Sequence, residues 1–467
     1  MHQMPLKKEN IMPGLISLTT ADAGVEATVS LLNSLFPPPR PFAVRLWDGT
    51  ELSVRANACL VLKNPGALRH MLTPPIELSL GEAFIYGDFD IEGDISSVFP
   101  ALDAVYGRSF SLFDVVGLAR QTLSLPGSGS KQRGGRGPVR LQGRVHSRAR
   151  DRAAIQYHYD VGNDFYELWL DPYMQYSCAY FDTGAEELDT AQERKLEYIC
   201  RKLRLKPGER VLDIGCGWGG LALYAAQKYG VRVLGITLSQ EQAAYANICL
   251  ARAGLGDRAS VKLQDYRDVG VESSDKIVSV GMFEHVGQKQ LPEYFAQAYR
   301  SLKPGGLFLN HGISQRAPWL HRMNPEVKLC CRPDMRPARV SLWQQWVAQH
   351  LLGQGRFIQR YVFPDGELLP VSQVNIVAEQ AGFEVRDVEN LREHYALTLR
   401  HWVDRLETRR TEAIELAGEG VYRTWRLYLA ASAYGFTCGR INVNQTLLAK
   451  PDVGQNCLPL TREDLYG

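Results

Sequence analysis

The chain has 467 residues, 45% of them hydrophobic, with 53 Lys and Arg against 51 Asp and Glu for a net charge of +2. That length supports two or three domains with substantial cores, and no apolar run approaches the roughly 18 to 20 residues needed to span a bilayer, so a globular cytoplasmic protein is expected. Nine cysteines without a CxxC pair argue against a disulfide framework or a zinc cluster, no metal site is expected, and "IMPGLISL" is too short and too broken for a signal peptide.

In chain order, "FAVRLWDGTELSV" (42–54) alternates Phe42, Val44 and Leu46 before Asp48-Gly49, which predicts a hairpin. Residues 80–125 read as mostly helical. Together they predict an N-terminal α+β domain over 1–125. Residues 126–152 read as a linker rich in Gly and Arg. Its stretch 131–152 holds eight Lys or Arg and one acid. Two readings stand: a solvated flexible connection, or attraction to an anionic surface, either nucleic acid or phospholipid headgroups.

The remainder, 153–467, begins a βαβα pattern at "GERVLDIGCGWGGLALYAAQKYGVRVLGITLSQEQ", with further strands expected at 277–281 and 306–311. A mostly parallel sheet with helices on both faces follows, binding ligands beyond the carboxyl ends of its strands. Gly215, Gly217 and Gly220 satisfy GxGxxG, but the nicotinamide reading needs an acid about 20 residues on. Thr237 stands there. Asp213, Gly215, Cys216, Gly217 and Gly219 instead match the first motif of S-adenosylmethionine methyltransferases, the class I (Rossmann-like) fold.

Six separated motifs then agree: "YHYDVGNDFYELWLDPYMQYSCAYF" (157–181), "VLDIGCGWGG", "QDYRD" (264–268), "SVGMFEHVG" (279–287), "LKPGG" (302–306) and "YVFPDGELLP" (361–370). The chain resembles the cyclopropane-fatty-acyl-phospholipid synthase family from about residue 80 to 450, related to the mycolic acid cyclopropane synthases. The resemblance implies cofactor contacts at Tyr176, Ser177, Gly215 to Gly217, Thr237, Gln242, Asp265 and Tyr266. It also implies a bicarbonate held by Cys178, Glu284, His311, the backbone of Ile313, and Tyr395. Glu284 and His311 are expected at the ends of adjacent strands. Without the resemblance, His311 reads as a satisfied buried histidine and Glu284 as the start of a helix. His285 has no assigned role. Tyr173, Tyr176, Tyr180, Phe181 and Phe283 are candidates to face a cation on the chain, or plain core.

The implied activity is transfer of a methyl group from S-adenosylmethionine to the double bond of phospholipid acyl chains, with bicarbonate-assisted ring closure to a cyclopropane. The alternatives are a methylene- or methyl-branched product from the same family, and a catalytically silent lipid-binding module. The implied partners are unsaturated phospholipid chains and an anionic membrane surface at the inner face, with no nucleic acid and a possible homodimer; the N-terminal domain would be lipid-associated. Residues 314–356 read as an insertion, in which 340–352, with Trp343 and Trp346, form an amphipathic helix suited to a lid, a membrane surface or the core.

Overall fold

The computed structural model describes residues 23–52, 56–106, 111–127, 137–139, 141–159, 161–315, 355–452 and 458–466. Its main helices are α1 (Ala23–Leu35), α2 (Ile76–Ile85), α3 (Leu112–Ser124), α4 (Arg148–Tyr159), α5 (Leu188–Leu203), α6 (Gly220–Tyr229), α7 (Gln240–Arg252), α8 (Leu291–Ser301), α9 (Arg356–Tyr361), α10 (Val371–Gln380), α11 (Arg392–Thr408) and α12 (Glu419–Thr437).

The N-terminal region carries a four-stranded sheet in the order β2-β1-β3-β4, built from Glu51–Leu52, Ala43–Arg45, Ala58–Leu62 and Phe89–Gly93. Gly49, at φ +91°, turns the expected hairpin between β1 and β2. The segment expected to be mostly helical also contains β4, which pairs antiparallel with β3. This region docks on α12 through buried arginines. Arg423 donates to the carbonyls of Phe84 and Phe89 and pairs with Asp90 at 2.7 Å, and Arg426 donates to Ile91 O. Phe89 and Ile91 lie on β4, an edge strand, so these contacts satisfy two carbonyls for which the sheet has no partner strand among the described residues, while Phe84 O is at the end of α2.

The linker boundary needs correction. α4 begins at Arg148, inside the expected 126–152 connection. Arg148 pairs with Asp268 at 2.8 Å and Arg150 forms a two-pronged pair with Asp365, so neither is a free basic charge. Further back, the amide of Val139 donates to Arg360 O on α9.

The second sheet has seven strands: β5 (Arg210–Ile214), β6 (Arg232–Thr237), β7 (Ala259–Leu263), β8 (Ser274–Val280), β9 (Leu302–Gln315), β10 (Glu384–Asn390) and β11 (Ile441–Ala449), in the order β10-β11-β9-β8-β5-β6-β7. β5 to β9 pair in parallel, while β11 runs antiparallel to both β9 and β10. Apolar clusters cover both faces, as buried continuous runs such as "RVLDI" require.

Two expected strand ends lie elsewhere. Glu284 sits in a single turn, Phe283–His285, after β8 has ended at Val280. His311 lies inside β9, opposite Val280 on one side and Gln445 on the other, because β11 pairs with β9 out to Gln315. The expected helix at 340–352 lies outside the described residues.

Candidate active site

The first cavity, about 120 Å³, opens at the carboxyl ends of β5, β6 and β8. Gly217, at φ +55°, has open space where a Cβ would stand, and Gly219, at φ +79°, lets α6 pack against Ala246 of α7. The amides of Gly215 and Cys216 both donate to Ile236 O, which fixes the loop to β6. At the tip of β6, Thr237 Oγ1 donates to Gln242 Oε1 at 2.8 Å. Asp213 lies one residue before the end of β5, and burial pushes its carboxyl up to about 7 against the pull of Lys195.

Tyr176 and Ser177 close the cavity from a segment that three side chains hold. Asp171 accepts from the amides of Tyr173 and Gln175, Gln192 donates to Ser177 O, and Lys195 donates to Ser177 Oγ. At the far end Gln264, Tyr266 and Arg267 line the cavity. Asp265 is outside this lining; its carboxylate is bound by the guanidinium and amide of Arg267. Gly219 likewise acts in packing rather than lining.

A second, mainly apolar cavity of about 150 Å³ adjoins the first and shares Tyr159, Tyr176, Ser177, Gly281 and His285 with it. The structure brings Cys178, Glu284, His311, Ile313 and Tyr395 together on its wall, with Leu399, Phe436 and Val443. Of the five aromatic candidates, Tyr176 lines this cavity; Tyr180 instead stacks on His394 and Tyr173 packs edge-on against Tyr224. Tyr159 and Tyr428 were not foreseen as lining groups.

Burial disfavours charge on the ionisable groups of this cavity. Burial raises Glu284 to about 7, while the amide of Ile313, donating to Oε1 at 2.7 Å, pulls the other way. Oε2 is buried with no hydrogen-bond partner. Burial, then Lys195 and Lys202, depresses His311 to about 3, and burial and His146 take His285 to about 4. Burial also pushes up the Cys178 thiol, which donates to the carbonyls of Ala179 and Leu391. An imidazole this weakly basic is a poor proton acceptor near neutral pH but a good neutral donor. Gln445, missed in the sequence, meets His311 Nδ1 at 3.2 Å; the cross-strand pairing is its only signal.

A glycine loop after β5, polar side chains at the next strand tips and this strand order define a class I S-adenosylmethionine-dependent methyltransferase. Solved structures agree: the cyclopropane synthase MmaA2 of Mycobacterium tuberculosis is 33% identical with TM-score 0.56, over 64% of this chain and 98% of that one. The mycolic acid cyclopropane synthase CmaA1, complexed with S-adenosylhomocysteine (SAH) and CTAB, is 34% identical with TM-score 0.56, over 64% and 97%. Residues 146–446 match the family described as mycolic acid cyclopropane synthetase, and the chain belongs to that family. Over its longer extent the chain is similar to a "Probable fatty acid methyltransferase" of Pseudomonas putida, 40% identical over 91% of this chain and 96% of the relative. It is also 39% identical to the cyclopropane-fatty-acyl-phospholipid synthase of Escherichia coli, over 63% of this chain and 66% of that one.

Proposed function

We propose that the protein adds the methyl carbon of S-adenosylmethionine across the double bond of unsaturated acyl chains in membrane phospholipids and closes a cyclopropane ring with the help of bicarbonate. The observation that carries this reading is the junction of the two cavities: the cofactor cavity adjoins an apolar one, and Glu284, His311 and Tyr395 line that second cavity.

S-adenosylmethionine, when bound, supplies an electrophilic sulfonium methyl to the alkene. Leu399, Phe436 and Val443 would hold the chain away from water. Tyr159, Tyr176, Tyr395 and Tyr428 line this cavity, and aromatic faces would stabilise positive charge developing on a chain held there. Ring closure then needs a base for a proton of the new methyl group, and His311 is too weakly basic to serve. The residues fit a bicarbonate: His311 and Tyr395 are donors, and the unpartnered Oε2 of Glu284 is an acceptor for its hydroxyl. Bicarbonate held there would supply the base.

The exposed apolar flank of α3, with Leu112, Phe113, Val116 and Leu123, supports a membrane-bound substrate, as does the basic segment that follows it. No helix among the described residues is long and apolar enough to cross a membrane. A second reading, methyl transfer that ends in a branched chain, draws support from the name of the Pseudomonas putida relative, which matches the N-terminal region too.

Substrate and base are tested together by giving the purified protein methyl-labelled S-adenosylmethionine with unsaturated phosphatidylglycerol vesicles or with the same chain as a carrier-protein thioester, with and without bicarbonate. The proposal expects label in the phospholipid and a slower rate in bicarbonate-free buffer. Label confined to the thioester would reassign the substrate, and a bicarbonate-independent rate would remove the base.

A further inference from the structure

Lys195 is a fully buried lysine that has hydrogen-bond acceptors but no counter-charge in contact among the described residues. Among the described residues no carboxylate lies within 4.0 Å of its ammonium. Asp171 and Asp213 act on it only through space. A buried charge in this state is expensive, and an apolar side chain of similar volume would avoid the cost. Holding the segment 175–177 does not require it, because Asp171 and Gln192 already fasten the backbone there.

The two hydrogen bonds of Lys195 indicate where the charge is used. Its Nζ donates to Gln175 Oε1 and, at 2.9 Å, to Ser177 Oγ, and both residues line the cofactor cavity. A hydroxyl that accepts from an ammonium keeps its own proton for another partner and becomes a stronger donor. This end of the cavity is therefore a donor backed by a buried positive charge. Lys195 itself stands behind the lining, and the arginine that does line the cavity, Arg267, is already neutralised by Asp265 and Asp151. The methionine portion of S-adenosylmethionine carries one anionic group, its α-carboxylate.

We propose that Lys195 is the buried cation that answers the α-carboxylate of the cofactor, acting through Ser177 and Gln175 as a positioning residue. The inference rests on the cofactor reading of this cavity.

The test compares two ligands by calorimetry: SAH, which has the carboxylate, and 5′-methylthioadenosine, which lacks the amino-acid portion. Lys195→Met should weaken SAH at least about tenfold and leave methylthioadenosine within about twofold, and Ser177→Ala, which keeps the lysine, should show the same selectivity. Methylthioadenosine binding also reports that the variant is folded; if Lys195→Met does not fold, Ser177→Ala decides. Equal losses for both ligands, or no loss, would overturn the inference. Failure of the wild type to bind either ligand would instead overturn the cofactor reading beneath it.

Discussion

The amide of Ile313, inside β9, donates to Glu284 Oε1 at 2.7 Å and leaves Oε2 buried and unpartnered on the wall of the apolar cavity. The interaction orients one oxygen and reserves the other. Glu284→Gln keeps an acceptor for the Ile313 amide but can place a donor where an acceptor is needed. Turnover should fall on the order of a hundredfold or more, while SAH affinity, measured by calorimetry, stays within about twofold. Near wild-type turnover would remove Glu284 from the site.

The same burial has a cost to stability. Glu284 rises from 4.5 to about 7 in the folded chain. Between those values the unfolded chain has released a proton that the native chain retains, so stability declines as pH rises through the window, by on the order of 3 kcal/mol in all. Below 4.5 the penalty is absent, and above 7 it is complete. Glu284→Gln should therefore melt higher than the wild type at pH 8 and about equal to it at pH 4. A lower melting temperature at pH 8 would mean that the carboxylate is stabilised in the fold.

His311 faces Gln445 across the β9–β11 pair, and an amide nitrogen can only donate, so Nδ1 accepts and the neutral ring carries its proton on the other nitrogen. Gln445→Glu would place an acceptor at Nδ1 and draw the proton there. Turnover should drop roughly tenfold or more, and nitrogen NMR of the imidazole should report the changed protonation. An unchanged spectrum with unchanged turnover would show that Gln445 does not set the ring.

On α3, Leu112, Phe113 and Leu123 are 58%, 87% and 66% exposed. Phe113→Asp combined with Arg140→Gln and Arg144→Gln should weaken co-sedimentation with anionic vesicles, with the charge contribution largest at low salt because screening acts within about 10 Å at 0.1 M. Arg150→Gln should instead lower stability by about 1 kcal/mol, since that arginine is paired with Asp365. Equal vesicle binding by wild type and the triple variant would return this face to another role.

Much of the cofactor cavity was legible because its signals are local. A glycine loop between a buried strand and a helix, and Thr237 at the next strand tip, need only their neighbours to be read. His311 was misplaced because β9 is extended by β11, some 130 residues later, and no local pattern announces that pairing. β4 was hidden because "FDIEG" is a short, largely polar strand inside an apolar helical stretch. Lys195, Gln445 and the Arg148 and Arg150 pairs share one property: each acts on a residue of a distant element, and a lysine or glutamine within a helix or strand carries no pattern of its own.

The most direct measurement is the carbon and proton NMR spectrum of acyl chains recovered after reaction of the purified protein with methyl-13C S-adenosylmethionine and unsaturated phospholipid vesicles, without reductant. The account predicts the label as an upfield cyclopropane methylene, chains one CH2 heavier than the parent, and loss of the olefinic signals in step with label uptake. A labelled methyl branch, an exomethylene carbon, or a product that forms only with a reductase would contradict ring closure at the Glu284 and His311 site.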